Sequence, residues 1–329
     1  MIPATLTISG NASTLNSDLL TLAFSLGKGL NQSVNQEKAM RWQDGRQSAN
    51  VEDRRGMRVP GGKGGMGIIG IGLALLASWF FGINPMVALG LVQGVSKIGS
   101  SVSGSQPVQG KQGPVEDEGG KFTSVVLGST EEVWTAIFKQ ANAQYTPPRL
   151  VLFSGVTPTS CGTGQAAAGP FYCPNDKTVY IDLSFYQMLQ QKFQAPGDFA
   201  QAYVVAHEVG HHIQNLMGTM QKVQGMQQRS PEKQSNLLSV RLELQADCYA
   251  GVWAHHSQKA RGWLDKGDIE AGLNAASQIG DDKMMKRSQG VVVPDAFTHG
   301  SGQQRTYWFG TGMKTGDLRS CDTFTQTTP

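Results

Sequence analysis

Val204-Val205-Ala206-His207-Glu208-Val209-Gly210-His211-His212-Ile213 is an apolar run interrupted by three histidines and one glutamate. Coiled as a helix, it sets His207 and His211 one turn apart and about 40° from each other around the axis, close enough to share one ion. Neutral imidazoles suit zinc, and a histidine pair at i and i+4 with a glutamate beside the first is the pattern of a water-activating metal site. Glu208 is no ligand in this geometry; it stands where a general base takes a proton from water and passes it to a leaving amine. The turns flanking the motif are apolar and uncharged, which predicts burial, and buried His and Glu need partners.

Leu242-Glu243-Leu244-Gln245-Ala246-Asp247 supplies those partners. Glu243 and Asp247 also lie at i and i+4, in a stretch that continues as Cys248-Tyr249-Ala250-Gly251-Val252-Trp253. We expect Glu243 to complete a site for one zinc per chain, and Asp247 to accept the far N–H of a ligating histidine and so fix its tautomer. Three protein ligands leave a position for water, as catalytic sites do and closed structural sites do not. The competing reading, a solvated acidic pair, sits poorly amid so much apolar sequence.

Around these two helices the organisation is α+β, mostly helical with a small sheet. Ser129-Thr130-Glu131-Glu132 has the form of a capping box and predicts a helix start. Leu150–Phe153 and Val179–Leu183 read as short strands. The histidine helix is predicted from about Asp198, as N-cap, to Met217, with Gly218 as its stop. The next runs from about Ser230, with Pro231 at its first position, to His256, and a shorter one lies around 268–279. Of four cysteines, Cys161 and Cys173 bracket a short loop, which favours pairing 161–173 with 248–321 among three connectivities. The even count suits an oxidising compartment.

Between Lys63 and Lys97 no residue is charged, and Ile68–Phe81 is almost wholly apolar. That length predicts one transmembrane helix within 66–92. Arg41, Arg46, Arg54, Arg55, Arg58 and Lys63 precede it, so the positive-inside rule puts residues 1–65 in the cytoplasm and the C-terminal part outside the inner membrane. A Gly/Ser-rich linker (93–120) would then carry a catalytic domain over 121–329. The formal charge of +3 and a charged fraction of 16% give no nucleic-acid footprint.

Asp198-Phe199-Ala200-Gln201-Ala202-Tyr203 leading into His207-Glu208-Val209-Gly210-His211-His212, then Glu243-Leu244-Gln245-Ala246-Asp247, resembles the bacterial family described as "putative neutral zinc metallopeptidase". Arg41-Trp42-Gln43, Asn50–Arg55, Phe171-Tyr172-Cys173-Pro174 and Phe297-Thr298-His299-Gly300 extend the likeness over roughly 40–322. Members begin near the Arg41-Trp42-Gln43 segment, which suggests Met40 as the native start. The resemblance implies a thermolysin-like site on a zincin-like domain that cleaves protein or peptide substrates. Such a site needs a donor for the oxyanion of the tetrahedral intermediate. His299, in a Gly-containing loop of a family-like motif, is the candidate. His212 projects about 140° from His207 and is expected to pack elsewhere. Tyr203, one turn before His207, is expected to pack against the site. His255 and His256 are expected to be solvated near a helix end. Two other classes remain open: a zinc-stabilised envelope binding module that cuts nothing, and a hydrolase of cell-wall amides.

Overall fold

The structure is a computed structural model that describes residues 40–57 and 110–325. Its first elements are β1 (Val51–Asp53), β2 (Lys111–Gln112) and α1 (Glu118–Gln140). Strand β3 (Arg149–Leu152), a hairpin of β4 (Val156–Thr159) and β5 (Gly162–Gln165), and strands β6 (Phe171–Cys173) and β7 (Thr178–Ile181) follow. The rest is helical: α2 (Ser184–Gln191), α3 (Asp198–Leu216), α4 (Thr219–Gln227), α5 (Glu232–Arg261), α6 (Lys266–Gln278), α7 (Asp281–Gln289) and α8 (Gly302–Thr315). This is the mostly helical α+β arrangement that the sequence implies.

The five-stranded sheet runs β2-β1-β3-β7-β6, with β1, β3 and β7 parallel and an antiparallel strand at each edge. Its central strands alternate between two cores, as the two-residue period of a strand demands. Leu150, Leu152, Val179 and Ile181 face the helices, whereas Val151, Phe153, Tyr180 and Cys173 form a small cluster on the other face. The Cys161–Cys173 disulfide ties the β4–β5 hairpin to that cluster, and Cys248–Cys321 ties the C-terminal segment to α5.

Helix α1 starts eleven residues ahead of the expected capping box, with Asp117 as N-cap accepting from the Gly120 N–H. The box residues lie inside it and bond across the fold. Ser129 Oγ accepts from Trp253 Nε1 at 3.1 Å, and Glu131 accepts from Ser48, Asn50 and Arg46. Helix α3 keeps close to its expected bounds, but Gly197 is its cap, and the Asp198 carboxylate instead accepts from Trp42 Nε1 at 3.0 Å. Pro231 caps α5, which runs past His256 to Arg261 and stops at Gly262, in the left-handed region.

The transmembrane helix and the single-pass placement in the inner membrane are corrected here. Among the described residues no helix is long and apolar enough to cross a membrane. The two longest, α1 and α5, carry charges along their length, among them Lys121, Glu131, Glu132, Arg241, Glu243 and Asp247. The apolar run within 66–92 lies outside the described residues. Its flanks decide the matter of a single crossing: β1 pairs with β2 (Asp53 with Lys111) and with β3 in one sheet. One crossing between them would put two bonded strands on opposite sides of a bilayer. The arginines read as a cytoplasmic flank belong to the fold, Arg54 bonding Glu52 at 2.7 Å and Arg55 bonding Asp53 and Asp117.

Helix α5 is central, with α3 and α8 packed closely against it. Both approaches need glycine. A Cβ on Gly210 of α3 would stand 2.9 Å from the Ala246 carbonyl oxygen of α5, and one on Gly251 would stand 2.1 Å from that of Phe309 on α8. Gly312 meets Cys248 in the same way, at 2.0 Å. Gly312→Ala is therefore expected to destabilise by about 1–3 kcal/mol, because overpacking forces the backbones apart. Gly225→Ala, on α4 with nothing near, should stabilise by about 0.5–1 kcal/mol. Urea unfolding of the two variants checks the contrast; equal midpoints would remove the packing argument.

Candidate metal centre

The glycine contact between α3 and α5 brings the side chains of the two helices face to face. His207 Nε2 lies 3.2 Å from Glu243 Oε2, and His211 Nε2 lies 3.4 Å from Glu243 Oε1. The three donor atoms fall within 4.8 Å of one another, the one such group among the described residues. Both histidines are buried, while Glu243 keeps 19% side-chain exposure and so marks the open side.

The far side of each imidazole is engaged. His207 Nδ1 is 2.8 Å from Asp247 Oδ1, and His211 Nδ1 is 2.9 Å from Gln214 Oε1. With a proton on each Nδ1, both Nε2 atoms present lone pairs beside a carboxylate. Three acceptors turned toward one another call for a cation, and two imidazoles with one carboxylate are a donor set that suits zinc. The electrostatics agree. Burial opposes a charge on His207, yet Asp247 and Glu243 outweigh it and raise its pKa to about 10. The pocket thus favours positive charge at this point, which a divalent ion supplies in place of a proton.

Asp247 is fully buried and has a second charged partner. Arg305 of α8 reaches both of its oxygens, Nε to Oδ2 at 2.9 Å and Nη2 to Oδ1 at 3.0 Å, and Tyr203 Oη also donates to Oδ1. Burial acts to raise the Asp247 pKa, but Arg305 and His207 hold it below the usual carboxylate range. Arg305 is absent from the sequence reading. Its one trace there is a lone charge in a helix that is otherwise uncharged from Gly302 to Met313. Tyr203 does more than pack: it bonds the same carboxylate.

Glu208 is buried beside the three donors, and its carboxylate takes no hydrogen bond from the described residues. Burial pushes its pKa up, against the pull of His207 and His211. His299 is half-exposed, with Nδ1 3.1 Å from Asp281 Oδ1, while Asp281 Oδ2 accepts from the backbone N–H groups of Thr298, His299 and Gly300. Burial acts to lower the His299 pKa, but Asp281, with a smaller share from Glu243, raises it. His212 points away from the site, between Tyr172 Oη and the Thr146 carbonyl, and burial pushes its pKa down to about 4. His255 and His256 bond the carbonyls of Met313 and Gly316 at the end of α8.

A model of the family described as "putative neutral zinc metallopeptidase" matches residues 40–324. The chain belongs to that family. Uncharacterized protein YpfJ of Escherichia coli K12 is 48% identical over 301 residues, covering 87% of this chain and 99% of that relative. Uncharacterized protein Rv2575 of Mycobacterium tuberculosis H37Rv is 42% identical over 214 residues, 62% of this chain and 71% of the relative. No solved structure matches. Membership makes zinc the expected ion, and the residues fit it.

Metal analysis of the purified chain should return about one zinc per chain, and Glu243→Ala should remove it. Asp247→Asn should bind zinc about 10–100-fold more weakly, through loss of the carboxylate that orients His207. Zinc retained by Glu243→Ala at native affinity would exclude the three-ligand site.

Proposed function

We propose that this chain is a zinc-dependent endopeptidase, with His207, His211 and Glu243 holding the metal and Glu208 as general base. The observation that carries the reading is the Glu208 carboxylate, on a residue only 7% exposed, which interacts electrostatically with the three converging metal donors His207, His211 and Glu243 and takes no hydrogen bond from the described residues. A structural zinc site has no use for such a carboxylate, which counts against a purely binding module. Zinc held there would supply Lewis acidity, lowering the pKa of a water and polarising a peptide carbonyl.

Glu208 accepts the proton of the attacking water and delivers it to the leaving amine. Its raised pKa serves both halves of that task, since a base that must later act as an acid works best near the operating pH. His299 is the donor to the oxyanion. Its Nδ1 is turned to Asp281, so Nε2 carries a hydrogen only in the imidazolium form, which Asp281 favours. An extended peptide fits as an added strand along the outer edge of β6, which is the terminal strand of the sheet among the described residues and has α3 packed against it.

Glu208→Gln should retain zinc and lose about 10²- to 10⁴-fold in turnover of an unstructured protein such as casein. Turnover equal to that of the parent would sink the assignment. His299→Ala should also lower turnover with zinc retained. For the pH profile the sign follows from the charge. The active imidazolium exists below the folded pKa, so turnover falls as pH rises through that raised value. Asp281→Asn removes the group that raises it and should move this alkaline limb to lower pH. A limb that does not move assigns the titration to another group.

A further inference from the structure

We propose that Gln214 is a positioning residue for His211, and that the C-terminal segment fastened by Cys248–Cys321 holds Gln214 in place through Gln245. The proposal rests on the reading of His211 as a zinc ligand. It starts from the direction of an amide. Gln214 Nε2 lies 2.7 Å from the Leu242 carbonyl and 3.2 Å from Gln245 Oε1, both acceptors, so the nitrogen end faces α5. The oxygen end is left for His211 Nδ1, at 2.9 Å, and can only accept from it. His211 therefore carries its hydrogen on Nδ1 and presents the Nε2 lone pair to the metal position.

Gln245 is oriented by the same logic. Its Nε2 donates to the Cys321 carbonyl at 3.0 Å, which leaves Oε1 to accept from Gln214. The bonds run in one direction, from His211 to Gln214 to Gln245 to the backbone of residue 321, and Gln214, Gln245 and Cys321 are all buried. The last acceptor is fixed covalently. Cys321 is bonded to Cys248, which follows Gln245 by three residues on α5 and so shares its face. Thr323 Oγ1 donating to the Arg241 carbonyl and Arg241 donating to that of Phe324 secure the same segment further on. His207 is thus oriented by an ionised group and His211 by a neutral relay that ends at a disulfide.

The test uses the full-length chain, with zinc affinity from chelator competition and the visible spectrum of the cobalt(II)-loaded protein. Gln214→Met should weaken zinc binding about 10–100-fold and shift the cobalt bands. Gln245→Met and the paired Cys248→Ser/Cys321→Ser change should act in the same direction with smaller losses. Gly128→Ala, whose Cβ would stand 2.4 Å from the Arg46 carbonyl oxygen, is a packing variant outside the relay; it should lower thermal stability and leave the bands where they are. Native affinity and native bands in Gln214→Met overturn the proposal. If that variant does not fold, unchanged affinity and bands in Gln245→Met overturn it equally. A parent chain that binds neither zinc nor cobalt overturns the metal reading itself, and this one with it.

Discussion

The carboxylate of Asp247 is the interaction on which the centre of this molecule depends. It is buried without access to water, and a charge in that position is tolerable only when paired and fully hydrogen-bonded. Its donors come from α3, through His207 and Tyr203, and from α8, through Arg305. Satisfying one charge on α5 therefore fixes two other helices against it. The glycines at 210, 251 and 312 make the same demand in steric terms, since each lets a backbone come closer than any side chain allows. Metal geometry and helix packing are one constraint here, reached from two directions.

What was legible in the sequence was whatever repeats at helical spacing. His207 with His211, and Glu243 with Asp247, announce themselves as i and i+4 pairs in apolar surroundings, and the structure brings them together. Arg305 had no such pair: it acts on a residue of a different element, and sequence spacing carries no record of that. Gln214 does follow His211 by three residues on α3, but its bonds to the Leu242 carbonyl and Gln245 of α5 leave no such trace. Tyr203 was placed correctly on the site face, but its hydroxyl had a partner that only the packing of α5 reveals.

The misread elements share a cause: polar residues whose chemistry suggests one role are taken up by bonds inside the fold. Ser129 and Glu131 have the chemistry of a helix start, yet they serve Trp253 and the segment 46–50. Arg54 and Arg55 have the charge of a membrane flank, yet they neutralise Glu52, Asp53 and Asp117. Glu52 is almost fully buried, so the Arg54 contact is a condition of placing β1 in the sheet.

The pairing of β1 with β2 has a consequence for how this architecture can change over time. Asp53 and Lys111 are register partners, so the chain departs from the sheet and returns to it at neighbouring points. The sheet thus holds the two ends of the intervening segment side by side, at Asp53 and Lys111. Closure entropy grows with the logarithm of length, about 0.6 kcal/mol for each doubling of a flexible loop. By that measure a change in the length of the connection weighs little on the β1–β2 pairing, while the residues around Asp247 have no comparable freedom.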